Sequence, residues 1–317
     1  MTLRAYAPAS IGNFAAGFDL MGAALAPLDG SLWGDVVGGE TAAEPSLTVS
    51  GPFAGFLPAD PWQNLVMRTY GLFRKELNGR GIDVPPIAFH LEKHLPRASG
   101  LGSSASSVAA TLAVCQALLG QPLRTPELWT LAGRAEALVS GSSHLDNVLP
   151  CLAGGLRLQV PDRDGQPDAR LLPWPDDLIL VVVSPDFELS TEHSRRALPR
   201  RFDLKETLGF ATNLAGFVHA LETGDRDLLR RCLHDPLVEP YRAPLVPGFR
   251  AAQAAALEAG AWGCTLSGAG PALFAVAESP EHGREVADAV QGGLRGAGLD
   301  STFRLCGLDR QGTRLLA

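Results

Sequence analysis

One stretch, Pro96-Arg97-Ala98-Ser99-Gly100-Leu101-Gly102-Ser103-Ser104-Ala105-Ser106, constrains this chain more than any other. Gly100 and Gly102 lack Cβ, so the backbone there can take positive φ and come close to a ligand. The residues that follow, Ser103 to Leu119, are rich in Ala, Val and Leu and hold no charge or proline, which predicts a buried helix starting near Gly102. The first N–H groups of a helix lack partners, and its dipole places about half a positive charge there, so a phosphate is favoured. Loop and helix end make one anion site. Ser103 and Ser104 would cap the helix or reach a phosphate or metal ion. The glycine pair, the serines, the preceding proline and the long helix agree on the second role.

With 317 residues, 46% of them hydrophobic and 19% charged, the chain can build one large or two moderate domains. A formal charge of −7 gives no general attraction to nucleic acid or an anionic membrane, so neither is expected as a partner and an anionic ligand needs a local cluster. Arg195, Arg196, Arg200 and Arg201 form one in sequence. Cys115, Cys151, Cys232, Cys264 and Cys306 have no close pair, which argues against a disulfide framework or zinc knuckle and for buried, reduced thiols in a cytoplasmic protein. The N-terminus shows no secretory apolar region, and the uncharged run Ala98 to Leu123 begins with Gly and Ser, leaving too little for a membrane span.

Proline and aspartate crowd Pro161 to Asp177, which reads as a linker between residues 1–160 and 161–317. Before it, Tyr6–Ile11, Ser46–Ser50 and Ile87–Leu91 read as strands. A second helix is expected with Thr125 as N-cap and Pro126 at its first position; its apolar stripe runs through Leu128, Leu131, Ala132, Ala135, Leu138 and Val139, with Glu136 at the edge. After the linker, Leu178–Val183 reads as a buried strand, followed by helices at Lys205–Leu221, Asp225–Leu233 and Phe249–Glu258. Two strands flank Ser267-Gly268-Ala269-Gly270-Pro271, and a helix at Glu281–Leu294 and a strand at Thr302–Cys306 close the chain. Without regular βαβ alternation, the class is α+β.

Common nucleotide motifs fit poorly. Gly100 to Ala105 satisfies G-x-G-x-x-A, but eight residues separate it from the strand ending at Leu91, and no second strand with a terminal acid follows the helix. The three lysines, Lys75, Lys93 and Lys205, form no G-x-x-x-x-G-K-[ST], and no G-x-S-x-G elbow exists. His90 and His94, on an extended strand, would sit ~13 Å apart and share no metal.

Pro96 to Ala105 resembles the P-x-x-x-G-L-G-S-S-A loop of the GHMP small-molecule kinases. Pro8-Ala9-Ser10-Ile11-Gly12-Asn13 through Gly17-Phe18-Asp19, Ser142-Ser143-His144-Leu145-Asp146-Asn147-Val148, Ser190-Thr191 with Arg195, Glu239-Pro240-Tyr241-Arg242 and Ser267 to Pro271 are similar to blocks of the branch that acts on homoserine. The resemblance implies ATP-dependent phosphorylation of the L-homoserine hydroxyl in threonine biosynthesis, by a homodimer with a GHMP N-terminal domain and a ferredoxin-like C-terminal one. It implies that Pro96 to Ser106 hold the triphosphate, Asn64 lies near the adenine, and Ser104 and Glu136 hold Mg²⁺. Arg195 and Arg242 would grip the carboxylate, Asp19 the ammonium, and Asn13, His144 and Asn147 the remaining polar groups. Asn147 stands where some relatives carry an aspartate base, so alignment and Mg²⁺ electrostatics are expected to dominate, with Thr191 orienting groups. Gly12 and Arg97-Ala98 depart from the usual pattern. The rivals are another small-alcohol kinase, mevalonate-like, and a nicotinamide-dependent oxidoreductase using the glycine loop.

Overall fold

The computed structural model describes residues 2–141, 143–165 and 167–317, and all of their side chains but those of 140 and 167. The chain opens with β1 (Leu3–Pro8), β2 (Ser10–Gly12), β3 (Met21–Pro27), β4 (Gly34–Thr41) and β5 (Ser46–Ser50), then α1 (Leu65–Asn78) and β6 (Ile87–Glu92). Next come α2 (Ser103–Leu118), α3 (Thr125–Ser140) and α4 (Val148–Ala153), followed by β7 (Leu156–Pro161) and β8 (Pro167–Leu172). Then β9 (Ile179–Pro185) leads into α5 (Thr191–Arg196), α6 (Leu204–Thr223), α7 (Arg226–Cys232), α8 (Glu239–Arg242) and α9 (Phe249–Glu258). β10 (Cys264–Leu266), β11 (Leu273–Ala277), α10 (Pro280–Arg295), β12 (Ser301–Leu308) and β13 (Arg314–Leu316) complete the order.

Two sheets organise these elements. The first runs β13-β1-β4-β6-β5, antiparallel except for the β5/β6 pair. The second runs β10-β11-β9-β12-β3-β7-β8, with β2 paired to β3. Its strands β9, β10, β11 and β12 and their intervening helices follow β-α-β-β-α-β, and the spatial order β10-β11-β9-β12 makes this part ferredoxin-like. The class is α+β.

α2 explains the placement of the first layer. It is apolar all round, so it must be covered on every side. β1 and β4 lie on one flank, and α1, α3 and α4 enclose the others. Val108, Leu112, Tyr70, Phe73, Phe89 and Leu91 fill this core. A second core around Phe14, Leu25, Val182, Phe217 and Phe274 lies on one face of the larger sheet; a third, with Val181, Phe249, Val286 and Leu294, packs α9 and α10 on the other. All five cysteines are free and buried, and among the described residues no helix is long and apolar enough to cross a membrane.

Three expectations change. Residues 161–177 are no linker: β8 pairs antiparallel with β7 from Leu156↔Leu172 to Pro161↔Pro167, so a division after residue 160 falls inside a hairpin. Both sheets also combine the two halves of the chain, through β1/β13 and β3/β12. Thr125 is already helical; Arg124 is the N-cap, and Glu127 accepts from its backbone N–H at 2.8 Å. β3, β4 and α1 are additional elements. Small apolar residues in β3 and three glycines in β4 leave no alternating pattern to read.

Between β2 and β3 the chain makes a left-handed turn, with φ of 64° at Asn13, 34° at Phe14 and 59° at Ala15. Left-handed backbone costs roughly 1–2 kcal/mol for each such residue, so packing must offset it. Phe14 supplies that packing: it is fully buried, stacked on Phe274 at 5.2 Å and edge-on to Trp174 at 5.2 Å. Phe14→Ala is expected to cost about 3–5 kcal/mol in urea unfolding; a loss below about 1 kcal/mol would show that Phe14 does not hold this turn.

Candidate active site

The glycine loop sits where the two sheets meet, and its carbonyls are held from behind. Leu189 N–H donates to Ala98 O, Ala272 N–H to Ser99 O and Ser10 N–H to Leu101 O, each at 3.1 Å, and Ser267 Oγ donates to Gly100 O at 2.5 Å. Gly100 and Gly102 have φ of 80° and 62°. A Cβ at Gly100 would come within 2.6 Å of Ser267 O, and one at Gly102 would strike Ser10 Oγ, so both glycines are required. Gly102 is the N-cap of α2 and no side chain caps the helix. The serines do not cap it: Ser103 Oγ donates to Leu95 O at 3.1 Å and Ser104 Oγ to Glu136 Oε2 at 3.0 Å. The first turn of α2 thus keeps N–H groups for an anion.

One cavity of about 450 Å³ adjoins this loop. Arg97, Ala98, Ser99, Gly100, Gly102, Ser103 and Ser104 line it. Pro96, Leu101, Ala105 and Ser106 do not: Leu101 and Ala105 belong to the cores, and Ser106 Oγ donates to Ala7 O at 2.7 Å. Arg97 lies exposed with its guanidinium on Phe56 O at 2.8 Å. Asn64, with Leu57, Pro58, Leu65 and Val139, forms an apolar end. Asn64 Oδ1 caps α1 through Val66 N–H at 3.0 Å, while its buried Nδ2 has no hydrogen-bond partner among the described residues.

At the far end, Asp19 takes a two-pronged bond from Arg195, Nη2 at 2.9 Å and Nη1 at 3.1 Å, with His144 Nδ1 3.4 Å from its other flank. Arg242 is buried beside them and donates from Nη1 to Gly268 O at 3.0 Å. The Nε groups of Arg195 and Arg242 are buried without partners among the described residues. Phe18 lies under both guanidiniums, 5.6 Å and 5.2 Å from its ring centre. Of the four clustered arginines, Arg195 alone lines the cavity; Arg196 pairs with Glu192 on the surface. Burial lowers the pKa of His144, and Asp19 opposes that shift.

Asn13, Asp146 and Asn147 also line the cavity. Asn13 Nδ2 donates to Gly268 O at 3.0 Å, its Oδ1 accepts from Asp19 N–H at 3.1 Å, and its N–H donates to Asp146 Oδ2 at 3.2 Å. Asn147 Oδ1 accepts from Ser10 Oγ at 2.9 Å. A Cβ at residue 12 would strike Asp146 Oδ2 and Asn147 Nδ2, which accounts for Gly12 in this chain. Thr191 is the first residue of α5, at the exposed rim. Ser142 lies outside the described residues.

Sequence reasoning missed two groups. One is Asp146, which nothing local distinguishes from a solvated carboxylate beside Asn147, yet it is buried. Lys93, at the end of the run from β6, is buried and bonded to Asp35, Ser103 O at 2.9 Å and Ser107 Oγ at 3.1 Å beneath the loop. Its signal was a lone lysine three residues ahead of Pro96.

Burial pushes both Glu136 and Asp146 up to about 7; the Ser104 hydroxyl works against this at Glu136, and the nearby Asp19 adds to it at Asp146. Ser104 and Glu136 offer one hydroxyl and one carboxylate, a sparse oxygen set that suits Mg²⁺, which keeps waters and phosphate oxygens in its shell. No group of three or more His, Cys, Asp or Glu poised for a metal exists among the described residues.

Comparison with known proteins agrees with this geometry. The model of the GHMP kinases N terminal domain matches residues 64–155, and that of the GHMP kinases C terminal matches 217–295. The chain belongs to the GHMP kinases. It is similar to a homoserine kinase from Cytophaga hutchinsonii, with 33% identity, TM-score 0.88, and coverage of 99% of this chain and 97% of that one. The L. major mevalonate kinase solved with R-mevalonate is 17% identical, TM-score 0.67, over 96% and 95% of the two chains. A phosphomevalonate kinase from Streptococcus pneumoniae is 13% identical, TM-score 0.67, over 100% and 99%. The last two share the fold. As a GHMP kinase the chain is a phosphotransferase with ATP as donor, and the nicotinamide reading falls with the absence of a doubly wound parallel sheet among the described residues.

A carboxyl pKa raised on folding has a definite pH signature. Between about pH 4 and 7 the unfolded chain has released a proton that the folded ligand-free kinase retains at Asp146, so this group's contribution to stability is complete below that window and declines through it. Asp146→Asn removes the titration. Its stability relative to wild type is expected to rise by roughly 4 kcal/mol between pH 4 and pH 8 in urea unfolding; parallel pH curves would contradict the assignment.

Proposed function

We propose that this GHMP kinase transfers the γ-phosphoryl group of ATP to the side-chain hydroxyl of L-homoserine. One observation carries the reading: a carboxylate, Asp19, and two arginines, Arg195 and Arg242, converge at one end of the cavity that Ser104 and Glu136 also line. An α-amino acid brings an ammonium for Asp19 and a carboxylate for the arginine N–H groups, so its binding exchanges the internal ion pair for two external ones. Mevalonate carries a carboxylate and no ammonium, and would leave Asp19 facing a like charge. That disfavours the mevalonate-like alternative.

The chemistry follows from placement. With the substrate's charged end held, its hydroxyl points along the cavity toward Asn13, Asp146 and Asn147. The amides of the loop and of the first turn of α2 receive the phosphates, and Asn64 with its apolar neighbours receives the base. Ser104 and Glu136 would hold Mg²⁺, which neutralises charge on the phosphate oxygens when bound. The hydroxyl oxygen forms a bond to the γ-phosphorus, the bond to the bridging oxygen breaks, and ADP leaves. Asp146 orients the hydroxyl and takes its proton late, which a loose transition state allows without a strong base. Asn147 holds the neighbouring turn through Ser10 and takes no proton.

An ADP-release assay with L-homoserine, mevalonate, galactose or no acceptor tests the reading. Turnover with L-homoserine should exceed each of the others by at least about 100-fold in kcat/KM. ADP release indifferent to L-homoserine would overturn it. Glu136→Gln should lower kcat by about 100-fold or more with a small change in KM for L-homoserine, whereas Asn147→Asp should not raise kcat at neutral pH.

A further inference from the structure

Arg242 ends α8, a helix of four residues that no side chain caps. So short a helix cannot hold its own shape, and something else must fix where the guanidinium points. Its first residue, Glu239, is buried with a side-chain exposure of 7%, and both carboxylate oxygens are engaged. Oε2 accepts from Thr265 Oγ1 at 2.5 Å, and Oε1 from Gln253 Nε2 at 3.0 Å and Arg250 Nη1 at 2.9 Å. Gln253 in turn donates to Cys264 O at 2.7 Å. Thr265 and Cys264 belong to β10, and Ser267 and Gly268 open the turn that follows it. The Gly268 carbonyl is the shared acceptor of Arg242 Nη1 and Asn13 Nδ2, 3.0 Å from each. Arg242 and Gly268 line the cavity, while Glu239, Thr265 and Gln253 do not.

We propose that Glu239 is a positioning residue for recognition of the substrate carboxylate: by tying α8 to β10 through Thr265, it fixes Arg242 against the Gly268 carbonyl and in register with Asn13. This rests on the reading of L-homoserine as substrate. Hydrogen bonds to a carboxylate that is buried and otherwise satisfied are short and directional, so losing one loosens the angle of a short helix before it unfolds a domain. The consequence falls on one functional group of one substrate. ATP, bound at the opposite end, does not sense it.

Thr265→Val removes the hydroxyl and keeps the shape; Thr265→Ser keeps the hydroxyl; Glu239→Gln keeps an acceptor and removes the charge. Each is assayed for KM of L-homoserine, KM of ATP, kcat, and the competitive inhibition constant of 3-aminopropan-1-ol, which is homoserine without its carboxylate. Thr265→Val is expected to raise KM for L-homoserine by about 5- to 20-fold. Its kcat, KM for ATP and inhibition constant for the aminoalcohol should stay within about twofold of wild type. The serine variant should restore wild-type KM, and Glu239→Gln should fall between. An unchanged KM for L-homoserine in the valine variant, or an equal loss for ATP and the aminoalcohol, would overturn the role of Glu239 while leaving the wild-type activity intact. A wild-type protein that ignores L-homoserine would overturn the parent reading, and this inference with it.

Discussion

A peptide unit is planar and nearly always trans, so its C=O and N–H point in opposite directions. That constraint governs the centre of this molecule. Four consecutive carbonyls, Ala98 to Leu101, are claimed from behind by groups on three separate segments, at Leu189, at Ser267 and Ala272, and at Ser10. A loop so fixed turns its N–H groups the other way, and α2 continues the row of donors from Gly102 onward. No single segment supplies the backing; it comes from β2, from the chain beyond β9 and from the turn between β10 and β11. The donor surface therefore depends on the larger sheet, to which all three of those segments belong or connect.

The buried charges divide by how completely they are enclosed. Asp35 and Lys93 are almost wholly shielded, at 0% and 3% side-chain exposure, and are bonded to each other, to Ser103 O and to the N–H groups of His94 and Leu95. Such a pair is costly to break, roughly 3–5 kcal/mol when one partner is removed, and it serves as a fixed strut under the loop. Asp19 and Arg195 retain 24% and 31% exposure and open onto the cavity. Water screens them, so exchange of this pair for charges from outside is far less costly than at the enclosed pair. The two ion pairs thus do different work because of their solvent access.

Much of this was legible in the residues. α9 spans Phe249–Glu258 as the periodicity predicts, α2 begins at Ser103, and Glu136 at the stripe edge does meet Ser104. Local patterns report local structure well. What they could not report were pairings set by distant partners: β3 and β4 are too small and glycine-rich to show alternation, and the proline-rich stretch after Val160 folds into a strand because β7 offers it an edge. Asp146 went unread for a related reason. Its significance lies in Gly12 and Asn13, over 130 residues away, which let a carboxyl be buried beside a substrate cavity.

The pairing of β1 with β13 and of β3 with β12 has a consequence for how the molecule is made. Arg4 lies opposite Leu316 and Pro27 opposite Cys306, so strands from the first residues find their partners among the last. On a ribosome, the early strands and the glycine loop emerge long before the segments that close the sheets around them. The N-terminal half must wait with unpaired strand edges until β12 and β13 have emerged. Long-range pairing of this kind makes folding slow, and removal of the last dozen residues would strip β13 from the first sheet.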